Sequence, residues 1–278
     1  MENTAGYLGP PGTFSSEAAD KISDDIKPYQ SIREVVDAIE NREIKLGVLP
    51  IENSLEGAVT ETMDLLLEVE NTIITQEIIL PIRYVLLANP GEKLENIDTV
   101  ISHSQALAQC RELFVEYPHL EKEISSSTAG AAEKVQTKEK AAALAPASCN
   151  NYSLDILWEG PKKQYNNETR FIVLGHEPPS PTGDDRTSIV FGIEDSPGAL
   201  YKSLEIFSKL EINLTRIESR PSKRKLGEYV FYVDFEGHKE ERRAYQGLKG
   251  VEKNVNFLKV LGSYPKEYGN LGENKITS

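Results

Sequence analysis

Cysteine is scarce: there are two in a chain of 278 residues, Cys110 and Cys149, set far apart. A disulfide-stapled secreted scaffold is disfavoured, and a reducing compartment, the cytoplasm, is expected. Histidine is sparse too, with His103, His119, His176 and His238 each standing alone. None makes the short His or Cys pairings from which metal sites are built, so no metal is expected. Long apolar runs are also missing, since no window approaches the roughly 18–20 residues that cross a bilayer. The N-terminal stretch has no basic block ahead of an apolar one, so no leader is expected. Walker and G-x-G-x-x-G patterns are absent, which argues against a nucleotide, and no cofactor is expected. Positive charge is in deficit: 31 Lys and Arg against 44 Asp and Glu leave a net charge of −13. Such a surface repels phosphate backbones and anionic lipid, so neither nucleic acid nor membrane is expected as a partner. An anionic ligand would need a local site of opposite character.

What is present is an ordinary globular balance, 39% hydrophobic and 27% charged, over a length that favours two domains. Residues 5–9, 46–51 and 73–80 read as strands. Between them Phe14, Ala18 and Ile22 fall four apart, and Ser31 with Glu34 makes a capping-box pattern ahead of Val35, Val36 and Ile39. Met63, Leu66 and Leu67 continue on helical spacing. This rhythm predicts a parallel α/β sheet. It restarts after Arg83, with strands over 99–102 and 141–145, a helix burying Leu107, Cys110 and Phe114, and another capped at Thr128. A strand over 169–174 would return to the first lobe and leave a ligand cleft between two lobes. Residues 177–185, EPPSPTGDD, have the composition of a linker. Beyond it come strands over 187–193, 212–218, 229–235 and 255–261, a helix capped by Ser196 with Pro197 at N1, and a helix over 242–248. That order, β-α-β-β-α-β, is ferredoxin-like. The expected division is a two-lobed region over 1–178 (lobes 1–80 with 165–178, and 81–164), a linker over 179–185, a smaller domain over 186–265 and a frayed tail over 266–278.

Several polar turns could carry chemistry. Gly9-Pro10-Pro11-Gly12-Thr13 leads into a helix N-terminus, where free N–H groups and the Thr13 and Ser15 hydroxyls suit a carboxylate or phosphate. Alternatively, Thr13 is only the helix cap. Asn53 and Ser54 follow a strand end, the binding edge of an open α/β sheet, although an Asx turn at Asn53 would merely hold local backbone. Ser102 and His103 occupy the same position in the second lobe, where His103 is either a titrating group or a surface residue. Gln109 follows on the helix, and Cys110 reads as core rather than nucleophile. Residues 125–128 are all hydroxyl-bearing, a polar cap or an anion site. Arg170 is either a bidentate carboxylate ligand or a salt bridge that holds its strand. Gly198 and the Glu218-Ser219-Arg220-Pro221 corner either frame a ligand or form a surface turn or a helix contact.

Taken in order, GPPGTFS, Glu52-Asn53-Ser54, SHSQAL with Gln109-Cys110, Ser127-Thr128-Ala129, Thr169-Arg170-Phe171 and LGSYP at 261–265 resemble the prephenate dehydratases over almost the whole length. The last section resembles an ACT regulatory domain through Gly198-Ala199-Leu200 and Glu218-Ser219-Arg220-Pro221. Ser104 departs from the family's usual proline and Gly130 from its usual alanine. The resemblance implies a two-lobed, periplasmic-binding-protein-like catalytic region with an interlobe cleft. It implies prephenate as substrate, decarboxylated and dehydrated to phenylpyruvate. Thr169 is then the catalytic residue, and Thr13, Asn53, Ser54, Ser102, Gln109, Ser127, Thr128, Arg170 and Phe171 are substrate contacts. Arg170 or the hydroxyl-rich helix start at 125–128 would hold the pyruvyl group. Phenylalanine is implied as allosteric effector, bound by Gly198, Ala199, Leu200, Asn213, Leu214, Glu218, Ser219, Arg220 and Pro221. Its site would lie at a homodimer interface between ACT domains, which also allows a dimer of dimers. The chorismate mutase segment fused to some relatives is not expected. Arogenate as substrate, and a binding protein that senses a small anion without transforming it, are the competing expectations.

Overall fold

Strand β1 (Ala5–Leu8) is almost wholly buried, as expected of an apolar strand covered on both faces. The computed structural model describes residues 4–160, 167–222 and 228–267. After β1 come α1 (Phe14–Asp20), β2 (Ile26–Tyr29), α2 (Ile32–Glu40), β3 (Leu46–Asn53), the short β4 (Gly57–Ala58), α3 (Thr60–Glu68) and β5 (Ile73–Pro81). The capping pattern before α2 is realised: Ser31 Oγ accepts the Glu34 N–H at 3.1 Å, and the Glu34 carboxylate accepts the Gln30 N–H at 2.9 Å.

The chain then builds a second lobe from β6 (Tyr84–Ala88), β7 (Thr99–Ser102), α4 (Ser104–Gln109), α5 (Arg111–Glu116), β8 (Glu121–Ile124), α6 (Thr128–Val135), β9 (Ala141–Pro146) and β10 (Asp155–Glu159). Its sheet runs β10-β6-β9-β7-β8. The helix expected through Cys110 is broken there, at φ −100 and ψ 42, into α4 and α5. Strand β11 (Glu168–Gly175) returns to the first sheet, whose order is β2-β1-β3-β11-β5 with β4 beside β3. β1 is parallel to β2 and β3, whereas β11 lies antiparallel to both β3 and β5, so the first sheet is mixed rather than parallel. The lobes meet where the Cys149 thiol donates to the Gly12 carbonyl at 2.9 Å and Phe14 meets Tyr84 edge-on at 5.6 Å.

The third unit comprises β12 (Asp185–Gly192), α7 (Ala199–Lys209), β13 (Leu214–Pro221), β14 (Tyr229–Glu236), α8 (Arg242–Glu252) and β15 (Phe257–Pro265). Its antiparallel sheet has the order β13-β14-β12-β15. Alternation along the strands divides its two faces. Ile189, Phe191, Val233 and Phe235 pack under α7 and α8 with Phe207, Leu248 and Val251. Their neighbours Val190 and Tyr232, with Val230, Leu261 and Tyr264, enter the core of the first lobe beside Ile39, Met63, Leu66 and Ile74. Glycine at 262 permits this docking, because a Cβ there would come within 2.1 Å of the Ile74 carbonyl oxygen. Gly198, at φ 83, is the N-cap of α7, so the cap expected at Ser196 is displaced. Ser196 instead closes a turn, its carbonyl accepting the Ala199 N–H at 3.1 Å. Most of the expected tail, residues 268–278, lies outside the described residues.

Candidate active site

Asn53 and Thr169 face each other as a cross-strand pair of β3 and β11, next to the junction of the lobes. Asn53 makes the Asx turn: its Oδ1 accepts the N–H groups of Leu55 and Glu56 at 3.0 and 3.1 Å. That turn fixes which way the carboxamide points. Its Nδ2 then donates to Thr169 Oγ1 at 2.9 Å and to Asn167 Oδ1 at 2.8 Å. The Asx-turn reading of Asn53 holds, and its amide is turned onto Thr169 and Asn167. Thr169 is nine-tenths buried and its oxygen accepts a hydrogen bond, while its proton is donated to none of the described residues. The hydroxyl is a held donor.

The network continues across the lobes. Asn167 Nδ2 donates to Gln109 Oε1 at 2.9 Å, and Gln109 Nε2 donates to Glu56 Oε1 at 3.0 Å. Gln109 comes from α4 of the second lobe, whereas Asn53, Glu56 and Thr169 belong to the first. Ser54 staples the same strand pair, its N–H donating to the Glu168 carbonyl at 2.9 Å and its Oγ accepting the Glu168 N–H at 3.0 Å. Asn167 and Glu56 were missed in the sequence. Asn167 stands two residues before Thr169, the spacing that repeats one face of a strand, and that signal was there to be used.

Other expected contacts go elsewhere. Arg170, the next residue after Thr169, points to the opposite face of β11 as strand alternation requires. Its guanidinium is engaged by Asp234 at 2.6 Å, Glu52 at 3.1 Å and Glu77 at 3.3 Å, so it serves as the ion-pair alternative and not as a substrate ligand. Phe171 is buried in the first-lobe core with Tyr7, Val48, Ile78 and Leu80. Ser102 is wholly buried and its hydroxyl donates to the Leu144 carbonyl inside the second sheet. Thr13 caps α1, accepting the Ser16 N–H at 3.3 Å and donating to the Pro10 carbonyl at 3.0 Å. Cys110 is core, and burial pushes its thiol up to about 12, too high for a nucleophile.

The start of α6 keeps its potential. Ser127, rather than the expected Thr128, is the N-cap, accepting the Gly130 N–H at 2.9 Å. Thr128 opens the helix. A Cβ at Gly130 would lie 3.1, 3.5 and 3.7 Å from the hydroxyls of Ser127, Ser125 and Ser126, so three hydroxyls gather over that glycine. Ser125 Oγ is buried without a partner among the described residues.

In the third unit a cavity of about 280 Å³ is lined by Gly198, Ala199 and Leu200 together with Ser196, Tyr229 and Phe231. The left-handed backbone at Gly198 explains the glycine. Asn213 lies instead on a separate cavity of about 250 Å³ beside Glu236 and Lys266, and Leu214 packs on the core beneath the helices. Glu218, Ser219 and Pro221 lie along β13, the edge strand. Arg220, on the same strand, pairs with Asp64 of α3 at 3.2 Å.

The model of the prephenate dehydratase family matches residues 5–179, and that of the ACT domain residues 187–252. The chain belongs to the prephenate dehydratase family. Its similarity to the bifunctional chorismate mutase/prephenate dehydratase of Aquifex aeolicus is 45% identity, over 94% of this chain and 73% of that protein. To the prephenate dehydratase of Methanocaldococcus jannaschii it is 40% identical, over 95% of this chain and 99% of the other. Among solved structures, the Arthrobacter aurescens prephenate dehydratase in complex with L-Phe matches at a TM-score of 0.87 and 32% identity, covering 95% and 90% of the two chains. The quorum-quenching acylase GqqA matches at the same TM-score of 0.87 and 28% identity, covering 95% and 98%. The periplasmic-binding-protein-like catalytic architecture and the C-terminal ACT domain are those of the prephenate dehydratases.

Proposed function

We propose that the chain is a prephenate dehydratase held under feedback control by phenylalanine. The observation that carries this reading is the Asn53–Thr169 hydrogen bond of 2.9 Å, beside an interlobe network, in a chain of this family. Two bonds of prephenate must break. The electron pair of the bond from ring carbon to carboxylate enters the ring and carbon dioxide leaves. The ring expels hydroxide as it becomes aromatic, and a proton converts that hydroxide to water. Hydroxide is a poor leaving group, so a donor placed on the departing oxygen lowers the barrier. Thr169 fills that role as an oriented hydroxyl rather than a conventional acid. Asn53 holds its oxygen from behind, leaving the proton for the cleft.

The two carboxylates of the substrate need different treatment. The ring carboxylate loses its charge as it departs, so a tight grip on it would stabilise the ground state and slow the reaction. The pyruvyl carboxylate keeps its charge and is the one to anchor. With Arg170 occupied elsewhere, the anchor is the N-terminus of α6 with the hydroxyls of residues 125–128. Gln109, reaching across from the second lobe, would sense closure on the substrate.

Phenylalanine would bind in the cavity over Gly198, Ala199 and Leu200, completed by the β13 edge of a second ACT domain in a homodimer. That assembly would bring Glu218, Ser219 and Pro221 to the effector, and it allows a dimer of dimers. The catalytic unit is taken as 1–178, the linker as 179–185 and the regulatory unit as 186–265. A cytoplasmic location suits the family, and no described helix is long and apolar enough to cross a membrane.

The deciding experiment incubates the purified chain with prephenate and with arogenate in parallel and follows phenylpyruvate, phenylalanine and carbon dioxide. Phenylpyruvate from prephenate, slowed by added phenylalanine, is the expected result. Turnover of arogenate alone would move the substrate assignment. Absence of carbon dioxide from both would remove the dehydratase reading in favour of a binding protein or an acylase, since a shared fold does not secure a shared reaction.

A further inference from the structure

The Asn53–Thr169 rung has a second side. Glu52 and Arg170 form the next cross-strand pair of the same ladder, and their side chains leave through the face away from Thr169. There Glu52 Oε2 meets Arg170 Nη2 at 3.1 Å and Arg216 Nε at 3.2 Å. Arg170 also reaches Asp234 at 2.6 Å and Glu77 at 3.3 Å, and Arg186 pairs with Glu77. Arg186, Arg216 and Asp234 all come from the ACT sheet. The cluster balances Arg170, Arg186 and Arg216 against Glu52, Glu77 and Asp234. The outer oxygens are held as well: Asp234 Oδ1 accepts the Ser188 hydroxyl at 2.6 Å, and Glu77 Oε1 accepts the Glu267 N–H at 3.0 Å. Arg170, Glu77 and Asp234 are buried, so a displaced partner among them is left desolvated and unpaired, whereas the Glu52 carboxylate is partly exposed.

Adjacent residues of one strand share a peptide unit, so a backbone twist that moves Glu52 or Arg170 carries Asn53 or Thr169 with it. We propose that Glu52 and Arg170 are positioning residues for Asn53 and Thr169, and that the ACT sheet sets them through Arg216 and Asp234. A displacement of that sheet would twist one rung of the β3–β11 ladder and turn the Thr169 hydroxyl off its line. Phenylalanine would thus slow turnover by moving the donor, with little change in how prephenate is held. This inference rests on the reading of Thr169 as donor to the departing hydroxyl.

The test compares full-length wild type with Arg216→Gln, Arg216→Lys and Tyr232→Phe. Tyr232→Phe removes another contact between the ACT sheet and the first lobe, a hydrogen bond to the Met63 carbonyl at 2.6 Å, without touching the rung. Each protein is assayed with prephenate across phenylalanine concentrations, and phenylalanine binding is measured by calorimetry. Arg216→Gln is expected to lower kcat about tenfold or more with KM within about threefold, because a small misplacement of a reacting group acts on the rate. It should still bind phenylalanine with wild-type affinity while its residual turnover no longer responds. Arg216→Lys, which keeps a charge on Glu52, should recover most of both, and Tyr232→Phe should stay within about twofold of wild type in kcat and response. If Arg216→Gln keeps wild-type kcat and regulation, or if Tyr232→Phe loses as much as it does, the inference is overturned. If Arg216→Gln does not fold, Asp234→Asn, isosteric and able to keep the Ser188 contact, is judged by the same criteria. A wild type that forms no phenylpyruvate would sink the functional reading itself, whereas an active wild type matched by Arg216→Gln would sink only the coupling.

Discussion

A threonine hydroxyl is a very weak acid, so whatever Thr169 contributes must come from where its proton points. Asn53 decides that by donating to Thr169 Oγ1. Thr169→Ala is expected to reduce kcat by about 10²–10³, the usual effect of deleting one aimed donor, and Thr169→Ser to keep most of it. Asn53→Asp is the sharper probe. A carboxylate still accepts the Leu55 and Glu56 N–H groups, so the turn survives. It no longer donates to Thr169, and it offers the hydroxyl an acceptor that draws the proton away from the cleft. Its kcat should fall below that of Asn53→Ala, and steady-state kinetics giving the reverse order would contradict the orientation argument. Ser102 predicts the opposite behaviour. With its hydroxyl donated to the Leu144 carbonyl inside the sheet, Ser102→Ala should cost about 1 kcal/mol in denaturant unfolding. Its kcat/KM should stay within about threefold, because the hydroxyl is spent on the sheet and touches no reacting group. A far larger loss of kcat/KM without loss of stability would make it a substrate contact after all.

At the scale of elements, β15 of the ACT unit packs tightly over β5 of the first lobe. Gly262→Ala would place a Cβ 2.1 Å from the Ile74 carbonyl oxygen, and backbone cannot swing aside as a side chain can. Overpacking of this kind costs about 1–3 kcal/mol, and here β15 must lift to relieve it. Thermal unfolding should show a lower midpoint, and the ACT unit should separate as an earlier transition. The strands that were legible in sequence are those with continuous apolar runs, such as β3 (Leu46–Asn53) and β9 (Ala141–Pro146). Of the five strands not foreseen, β2, β8 and β10 are edges of their sheets, the two-residue β4 pairs with β3 alone, and β6 lies inside the second sheet. β2 carries Pro28 and β8 reads EKEI, with only half-buried or exposed positions. Edge strands keep such residues because one side meets water, and that erases the periodic signal. The site was legible only as far as its motif residues. Thr169 and Asn53 were found, but which face Arg170 takes depends on the ACT sheet lying behind β11, a contact between residues far apart in sequence.

For the whole molecule, that hidden face makes an acid-sensitive joint. Burial by itself would raise the Asp234 carboxyl, yet the charges of Arg170 and Arg216 and the Ser188 hydrogen bond outweigh it and hold the group below its ordinary value of 3.8. A carboxyl lowered in the folded state stabilises the fold fully above its unfolded value, and the contribution is lost as pH falls through the folded one. Glu40 is also lowered: burial opposes the shift, but hydrogen bonds from Thr72 and the Glu70 and Asn71 N–H groups overcome it. It therefore adds acid sensitivity of its own. Comparison with Asp234→Asn removes that background, because Glu40 is the same in both proteins. At neutral pH the variant should be less stable by about 3 kcal/mol, the usual scale for breaking a buried ion pair. The difference should begin to shrink as the pH falls below 3.8 and close as it passes through the lower folded value, where the wild-type carboxyl becomes neutral like the amide. Denaturant titrations of both proteins at neutral and acid pH measure it directly. A stability gap independent of pH would mean that Asp234 acts through shape and hydrogen bonding, not through its charge on Arg170 and Arg216.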